Sequence, residues 1–290
     1  MVDLTTVPEP NRAAQIETRG YEIKGGFDIT SGQMVRVVFF NTPPQPGKLL
    51  IIMHHLVTDG LTWRILLEDL YKLYNDLSRR KGGEMSQKTA SLLDWYDALV
   101  MYRDSGKLEK EKGYWQEAES SAAGSQLPYD RDPGSVDWSI KNQAAVKVSL
   151  EAEETGFLLK EAHEVYKTDA QILVTAALVR TLRQWTKKQS VTIEIETHGR
   201  HIDDIDTSKT IGWFTSIYPL LVNREDKTIG DEIKSVKEAI RKLPNHGIGY
   251  GILKYMTEAG KTMETKRAGI RFNYLGQFDR EVDNPLFSYI

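Results

Sequence analysis

The densest chemistry in this chain lies in the run His54-His55-Leu56-Val57-Thr58-Asp59-Gly60. Imidazole titrates near neutral pH, so a histidine at the end of an element can accept or donate a proton. An apolar strand is expected to deliver the pair. Neighbouring strand side chains point to opposite faces, so one histidine faces a given cleft and the other faces the packing. Asp59 reads as the N-cap of a helix that follows, and Gly60 as its turn residue. A second cluster is Glu196-Thr197-His198-Gly199-Arg200-His201, which crowds a carboxylate, two histidines and an arginine into six positions. Zinc binding through His198 and His201 is disfavoured, because the helical i, i+4 spacing and cysteine support are both missing.

Two aromatic segments follow, Gly212-Trp213-Phe214-Thr215-Ser216-Ile217-Tyr218-Pro219 and Phe272-Asn273-Tyr274-Leu275-Gly276-Gln277. Each reads as a core strand, with Asn273 the exception, since a buried amide needs partners. The run PNHGIGYG at 244–251 is not a phosphate loop, because no strand feeds it and no GK[ST] follows. No Gly-x-Ser-x-Gly nucleophile elbow occurs.

The elements that must position these residues follow from periodicity. Residues 34–40 (MVRVVFF) and 48–54 (KLLIIMH) are strand-like and flank a Pro/Gly connector, which predicts a hairpin. Trp63, Leu66, Leu67, Leu70, Tyr74 and Leu77 mark a helix stopped by Gly82-Gly83. Helices are predicted over 91–102 and 108–118, a half-buried strand over 145–150 and a helix over 151–166. Thr168 and Gln171 suggest a capping box opening a helix that runs to about 185. Residues 191–197 alternate strictly, with Val191, Ile193 and Ile195 on one face and Thr192, Glu194 and Glu196 on the other. A strand over 211–222 ended or interrupted near Pro219, an amphipathic helix over 228–243, a turn and short helix after 244, and a last strand over 271–275 complete the reading. The expected division is an N-terminal lobe at 1–119, a polar Pro/Gly-rich linker at 120–143 and a C-terminal lobe at 144–290. The expected class is α/β, with a mixed sheet in each lobe.

Composition sets the outer bounds. The chain has 290 residues, 40% hydrophobic and 27% charged, which is ordinary for a globular protein of about two domains. A net charge of −3 argues against a nucleic-acid partner held by a strong positive field. There are no cysteines, which removes disulfides, thiol nucleophiles and Cys-based metal sites. The first residues show no signal-peptide core and no apolar stretch approaches membrane-helix length, so no membrane partner is expected and a cytoplasmic location is. Oligomeric state is not encoded legibly.

Taken in order, the motifs resemble the condensation-domain superfamily of nonribosomal peptide synthetases, and specifically its epimerization domains. HHLVTDG, followed by LTWRILLEDL, is similar to the His-His-x-x-x-Asp-Gly signature and its helix. ETHGRH is similar to the epimerization motif Glu-Gly-His-Gly-Arg-Glu, with Thr197 where the family usually has Gly and His201 where it usually has Glu. KTIGWFTSIYP, PNHGIGYG and FNYLGQ match the next three epimerization motifs in the same order, so five motifs span residues 54 to 277. The family's N-terminal Pro-Ile-Gln-x-Trp-Phe-like motif is not found, and family members continue well past the Asn-Tyr-Leu-Gly strand. The chain is therefore expected to be an internal piece of such a domain.

The resemblance implies a chloramphenicol-acetyltransferase-like fold of two mixed-sheet lobes with a cleft between them. It implies a substrate held as an aminoacyl or peptidyl thioester on the phosphopantetheine arm of a carrier protein, inverted at Cα. Such a reaction needs a base on one face of Cα, an acid on the other and a donor to the enolate oxygen. His55 and Glu196 match the acid–base pair, and Asn273 and Tyr274 match groups that orient substrate or relay a proton. His54, Asp59, Gly60, His198, Gly199, Arg200 and Trp213 are expected to shape the site. No cofactor of its own and no metal is expected, since no redox change occurs. The expected partners are a carrier protein and neighbouring synthetase domains, with Arg200 or Lys209 steering an acidic carrier. The rival readings are a condensation domain, which shares the His motif but has no use for the Glu motif, and a non-catalytic remnant that docks a carrier. Thr215-Ser216 and Pro219 stand where condensation domains carry an Asn and a downstream Arg, which favours epimerization.

Overall fold

The computed structural model describes residues 1–85, 87–124, 126–223, 228–263 and 268–276. The chain forms two compact units. The first comprises Met1–Leu92 and Asp206–Phe214; the second comprises Leu93–Ile205 and the described part of Thr215–Phe278. This differs from the expected division. Residues 93–119 and the expected linker at 120–143 belong to the second unit, and a segment far along the chain joins the first.

The first unit contains β1 (Val2–Asp3), α1 (Glu9–Gly25), β2 (Val35–Asn41), β3 (Lys48–Met53) and α2 (Gly60–Ser78). Its sheet has the order β1-β2-β3, with β1 parallel to β2 and β2 antiparallel to β3. The predicted hairpin is present, pairing Val35 with Met53 through to Phe40 with Lys48. The Arg36 guanidinium on β2 donates to the carbonyls of Ile23 at 2.8 Å and Gly26 at 2.5 Å. A cation thereby satisfies orphan carbonyls at the C-terminus of α1, where the helix dipole favours positive charge.

The second unit contains α3 (Leu92–Asp104), α4 (Lys107–Gly124), α5 (Ala152–Leu159), α6 (Glu161–Tyr166), α7 (Ala170–Thr186), β4 (Val191–Thr197), β5 (Ser216–Val222), α8 (Ile229–Arg241), α9 (Ile248–Met256) and β6 (Arg271–Asn273). Its sheet has the order β5-β4-β6, antiparallel on one side of β4 and parallel on the other. Both sheets are mixed, in line with the sequence-based expectation. Pro219 lies inside β5 opposite Glu194 without ending the strand. That is tolerated because, among the described residues, β5 is an edge, where a missing N–H need not serve a ladder on both sides.

Several local expectations give way. Residues 145–150 alternate like a strand but pair with no described strand, and Val146 and Val148 are almost fully exposed. Alternation supplies a face, whereas a strand also needs a partner for its backbone groups. The helix expected over 151–166 breaks at Lys160 into two short ones. Asp169, not Thr168, caps α7, its carboxylate accepting from the Ile172 N–H at 2.8 Å.

Helix α4 is the organising element of the second core. It looks polar in sequence, yet Leu108, Glu111, Trp115, Ala118, Glu119 and Ala122 are all buried, a helical stripe packed on β4, β5 and α9. Its two buried carboxylates are satisfied. Glu111 accepts from the Trp115 indole at 2.9 Å and from the Tyr102 hydroxyl, and Glu119 accepts from the Tyr250 hydroxyl at 3.1 Å and the Lys254 ammonium. Trp115 also contacts the rings of Tyr114, Tyr218 and Tyr250. Burial pushes the Tyr102 and Tyr218 hydroxyls well above the usual phenol range.

Because Trp115 is fully buried, Trp115→Ala should cost about 3–5 kcal/mol of stability. Trp138→Ala, at a residue 71% exposed, should stay within about 0.5 kcal/mol. Urea unfolding midpoints of the two variants check this contrast.

Candidate functional site

In the first unit the His motif is built on a turn. β3 ends at Met53, and His55–Val57 form a single 3-10 turn, so the two histidines are separated by that turn and not by strand pleating. His54 Nδ1 accepts from the Leu56 N–H at 3.1 Å, and its ring lies edge-on to Phe27. The hydrogen bond makes His54 the cap of the turn and leaves it in the packing. His55 is exposed, with its ring edge-on to Trp213 at 5.8 Å between centroids. The two histidines differ in exposure, His54 half-buried and His55 exposed, on a turn and not on a strand.

Asp59 does what a buried carboxylate at a helix N-terminus must do, and one thing more. Its Oδ1 accepts from the Thr62 N–H at 2.8 Å, capping α2, while Oδ2 accepts from the Phe214 N–H at 3.2 Å. Thr62 is fully buried; its hydroxyl donates to the Gly212 carbonyl at 2.8 Å and accepts from the Gly212 N–H at 3.1 Å. Two side chains thus fix Gly212-Trp213-Phe214 beside the His turn, and Trp213 reaches His55. This segment is not the start of a strand, which corrects the expectation for 211–215; pairing begins at Ser216. Sequence reasoning missed Thr62, because a threonine in a first helical turn is commonplace. Lys209, expected to face a carrier, pairs with Glu68 at 2.9 Å, and that carboxylate holds its ammonium above the ordinary range.

In the second unit the register brings the Glu motif to the Asn segment. β4 pairs Glu194 with Arg271 and Glu196 with Asn273 across β6. Asn273 is exposed at the strand end, not buried within it, and its amide donates to Glu196 Oε1 at 2.9 Å. Arg271 donates twice to Glu194 Oε2, at 3.0 and 2.8 Å, and its Nη1 lies 3.9 Å from Glu196 Oε2. Sequence reasoning missed Arg271 as well. Its spacing two residues before Asn273 places both on one face of β6, and that is the signal that could have found it. Tyr274 follows the strand, half-buried. Beyond β4, Gly199 adopts φ 71°, a left-handed conformation that turns the chain, and Arg200 N–H donates to His198 Nδ1 at 3.2 Å. Gln277, the last residue of the FNYLGQ motif, lies outside the described residues. Among the described residues no cluster of three or more His, Asp or Glu side chains suits a metal ion.

The mixed α/β fold in two units, each with a small mixed sheet, is of the chloramphenicol-acetyltransferase-like class. The Condensation domain family matches residues 2–289, and the chain belongs to that family. Bacitracin synthase 2 of Bacillus licheniformis is 37% identical over 289 residues, covering 99% of this chain and 11% of its own length. Surfactin synthase subunit 1 of Bacillus subtilis (strain 168) is 35% identical over 280 residues, covering 94% and 8%. The chain therefore spans only a small part of the length of either relative. The crystal structure of the epimerization domain from the third module of tyrocidine synthetase B is 33% identical, with a TM-score of 0.85 over 96% of this chain and 64% of that one. The first condensation domain of the calcium-dependent antibiotic synthetase shares the fold, with a TM-score of 0.64 at 16% identity over 94% of this chain and 60% of that one.

Asp59→Ala should cost about 2–4 kcal/mol, because it removes a helix cap and leaves the buried Phe214 N–H without its acceptor. Asp59→Asn keeps one acceptor oxygen but turns an amide N–H toward the other backbone N–H, so it should recover only part of that cost. Chemical denaturation of both variants tests the double role.

Proposed function

We propose that this chain epimerizes, from L to D at Cα, an aminoacyl or peptidyl thioester carried on the phosphopantetheine arm of a carrier protein, as part of nonribosomal peptide synthesis. The carrier and neighbouring synthetase domains are its partners, and it uses no cofactor or metal of its own. The observation that carries this reading is the Glu196–Asn273 pair, in which the end of a strand holds a partly exposed carboxylate by one oxygen through a neutral amide. A condensation reaction, which joins two acyl groups through an amide, has no use for a second acid–base group there. The likeness to an epimerization domain, at TM-score 0.85 and 33% identity, supports the same reading over condensation, at 0.64 and 16%.

In this reading a thioester acidifies the Cα proton, one group removes it, and the electron pair delocalises onto the thioester oxygen as an enolate. A second group then returns a proton to the opposite face of Cα, so protons balance and nothing is oxidised. Glu196 and His55 are the two proton-transfer groups. Asn273 holds Oε1 of the Glu196 carboxylate, the proton is assigned to Oε2, which Arg271 approaches to 3.9 Å, and Tyr274 is assigned to substrate orientation or proton relay. His54, Asp59 and Gly60 hold the His turn, Trp213 sets the His55 ring, and His198, Gly199 and Arg200 shape the loop after Glu196.

Glu196→Gln keeps the shape and removes the proton acceptor, so inversion should fall by about 10²–10⁴-fold, as should His55→Ala. The measurement is Cα hydrogen–deuterium exchange and chirality of a carrier-bound aminoacyl thioester in D₂O. Full exchange and inversion by Glu196→Gln would refute the assignment. Amide formation with an acceptor thioester, without Cα exchange, would establish the condensation reading. Carrier binding with neither reaction would identify a docking module.

A further inference from the structure

Three imidazoles lie ring against ring beside the loop that follows Glu196, one pair stacked and one pair tilted. The His198 and His201 rings lie 4.4 Å apart between centroids, and the His201 and His246 rings lie 4.5 Å apart at 20°, nearly parallel. His198 and His201 come from the loop leaving β4, and His246 comes from the turn Pro244–Gly247 after α8. The His201 and His246 rings face each other nearly flat, while the His198 ring is tilted by 41° against His201, and among the described residues no group of three such side chains suits a metal ion.

The backbone is bent to make this stack. Gly199, at φ 71°, reverses the loop, and the His201 N–H closes it on the Gly199 carbonyl at 2.9 Å. On the other side Asn245 and His246 both adopt positive φ, at 42° and 53°, a region side chains rarely enter without compensation. Gly247 follows at φ 87°, against the Tyr218 ring with no room for a Cβ. Tyr218 pairs with Ile195, the residue before Glu196. The contacts therefore close a circuit: β4, its loop, the stacked rings, the turn, Tyr218 on β5, and back to β4.

We propose that the stack of His198, His201 and His246 is a positioning clamp that fixes the end of β4 and thereby the Glu196 carboxylate. The inference rests on Glu196 as an acid–base group, and its test separates the two ideas. His201 is the central ring, and the charges that act on it are those of His198 on its own loop and His246 on the facing turn. Burial, then these two imidazoles, lower its pKa from 6.5 to about 4. Between those values the loosened loop takes up a proton that the clamped loop does not, so the clamp is intact above about pH 6.5 and weakens as pH falls toward about 4. His201 stands where the resembled epimerization motif usually carries Glu, so this device belongs to the present chain's departure from that motif.

The test begins with an NMR titration of the histidine ring protons in the intact chain. His201 should titrate well below the ordinary imidazole range, and His246→Ala should move its midpoint up by half a unit or more. An ordinary His201 midpoint, or one indifferent to His246→Ala, overturns the clamp whatever the activity of any variant. The second arm is the pH profile of Cα exchange. Wild type should lose on the order of tenfold in rate between pH 7.5 and 5 through the clamp. His201→Phe keeps a flat ring without a proton site, so it should keep the acid loss that comes from the proton-transfer groups but lose at least about threefold less rate than wild type, whereas His201→Ala should be slow at both pH values. Equal acid sensitivity in wild type and His201→Phe also overturns the clamp. If instead Glu196→Gln retains inversion while the titration behaves as expected, the catalytic reading fails and the stack remains as a structural element of the loop.

Discussion

β4 pairs antiparallel with β5 and parallel with β6, and the register of those two ladders sets which residues of β4 and β6 stand side by side in the second unit. Val191, Ile193 and Ile195 are buried, each contributing about 1.5–3 kcal/mol by leaving water. A slip of one residue would turn all three to the opposite face, so the hydrophobic pattern locks the register. Once it is locked, Glu194 and Glu196 must emerge on the other face beside Arg271 and Asn273. The Glu196–Asn273 contact is thus a by-product of core burial.

The first unit solves a similar problem with hydrogen bonds. Its His turn follows an apolar strand, but the segment carrying Trp213 arrives from about 150 residues later in the chain, through the bond between Thr62 and Gly212. No wide apolar interface is needed to hold so short a segment. Asp59 and Thr62 satisfy its backbone groups with buried acceptors and a donor, and each such bond is costly to break because the freed polar group would stay buried. A residue that reads as an ordinary helix cap therefore also carries the aromatic wall beside His55.

Buried charge in the second unit follows the same logic. Glu111 and Glu119 are tolerated inside because neutral or cationic donors reach them from α3, α4 and α9. Arg183 on α7 pairs with Glu232 on α8 and donates to the Val222 carbonyl at 3.0 Å, tying two helices to the edge strand. Such pairs add little net stability over apolar packing, but each one penalises any arrangement that leaves a partner alone. They pin α4, α7, α8 and α9 in place around the sheet that bears Glu196.

Elements with a local signal were legible in the chain alone. Strict alternation set the bounds of β4, the apolar runs marked the hairpin, and the Asp-Gly step marked the start of α2. Motif order pointed to the family, and Glu196 and Asn273 stood out as motif residues before their contact was visible. Whatever depends on a distant partner was settled by the three-dimensional packing. Residues 145–150 alternate as well as β4 does and still pair with no described strand, because alternation does not supply a neighbour. α4 looks like a solvated helix until Tyr102, Tyr250 and Lys254 arrive to satisfy its carboxylates. Asn273 seemed to need burial and instead found a carboxylate at an exposed strand end, a contact set by parallel register between segments 77 residues apart. The histidine stack needs Gly199, Asn245 and His246 in left-handed conformations at once, and nothing in a one-dimensional pattern joins those positions.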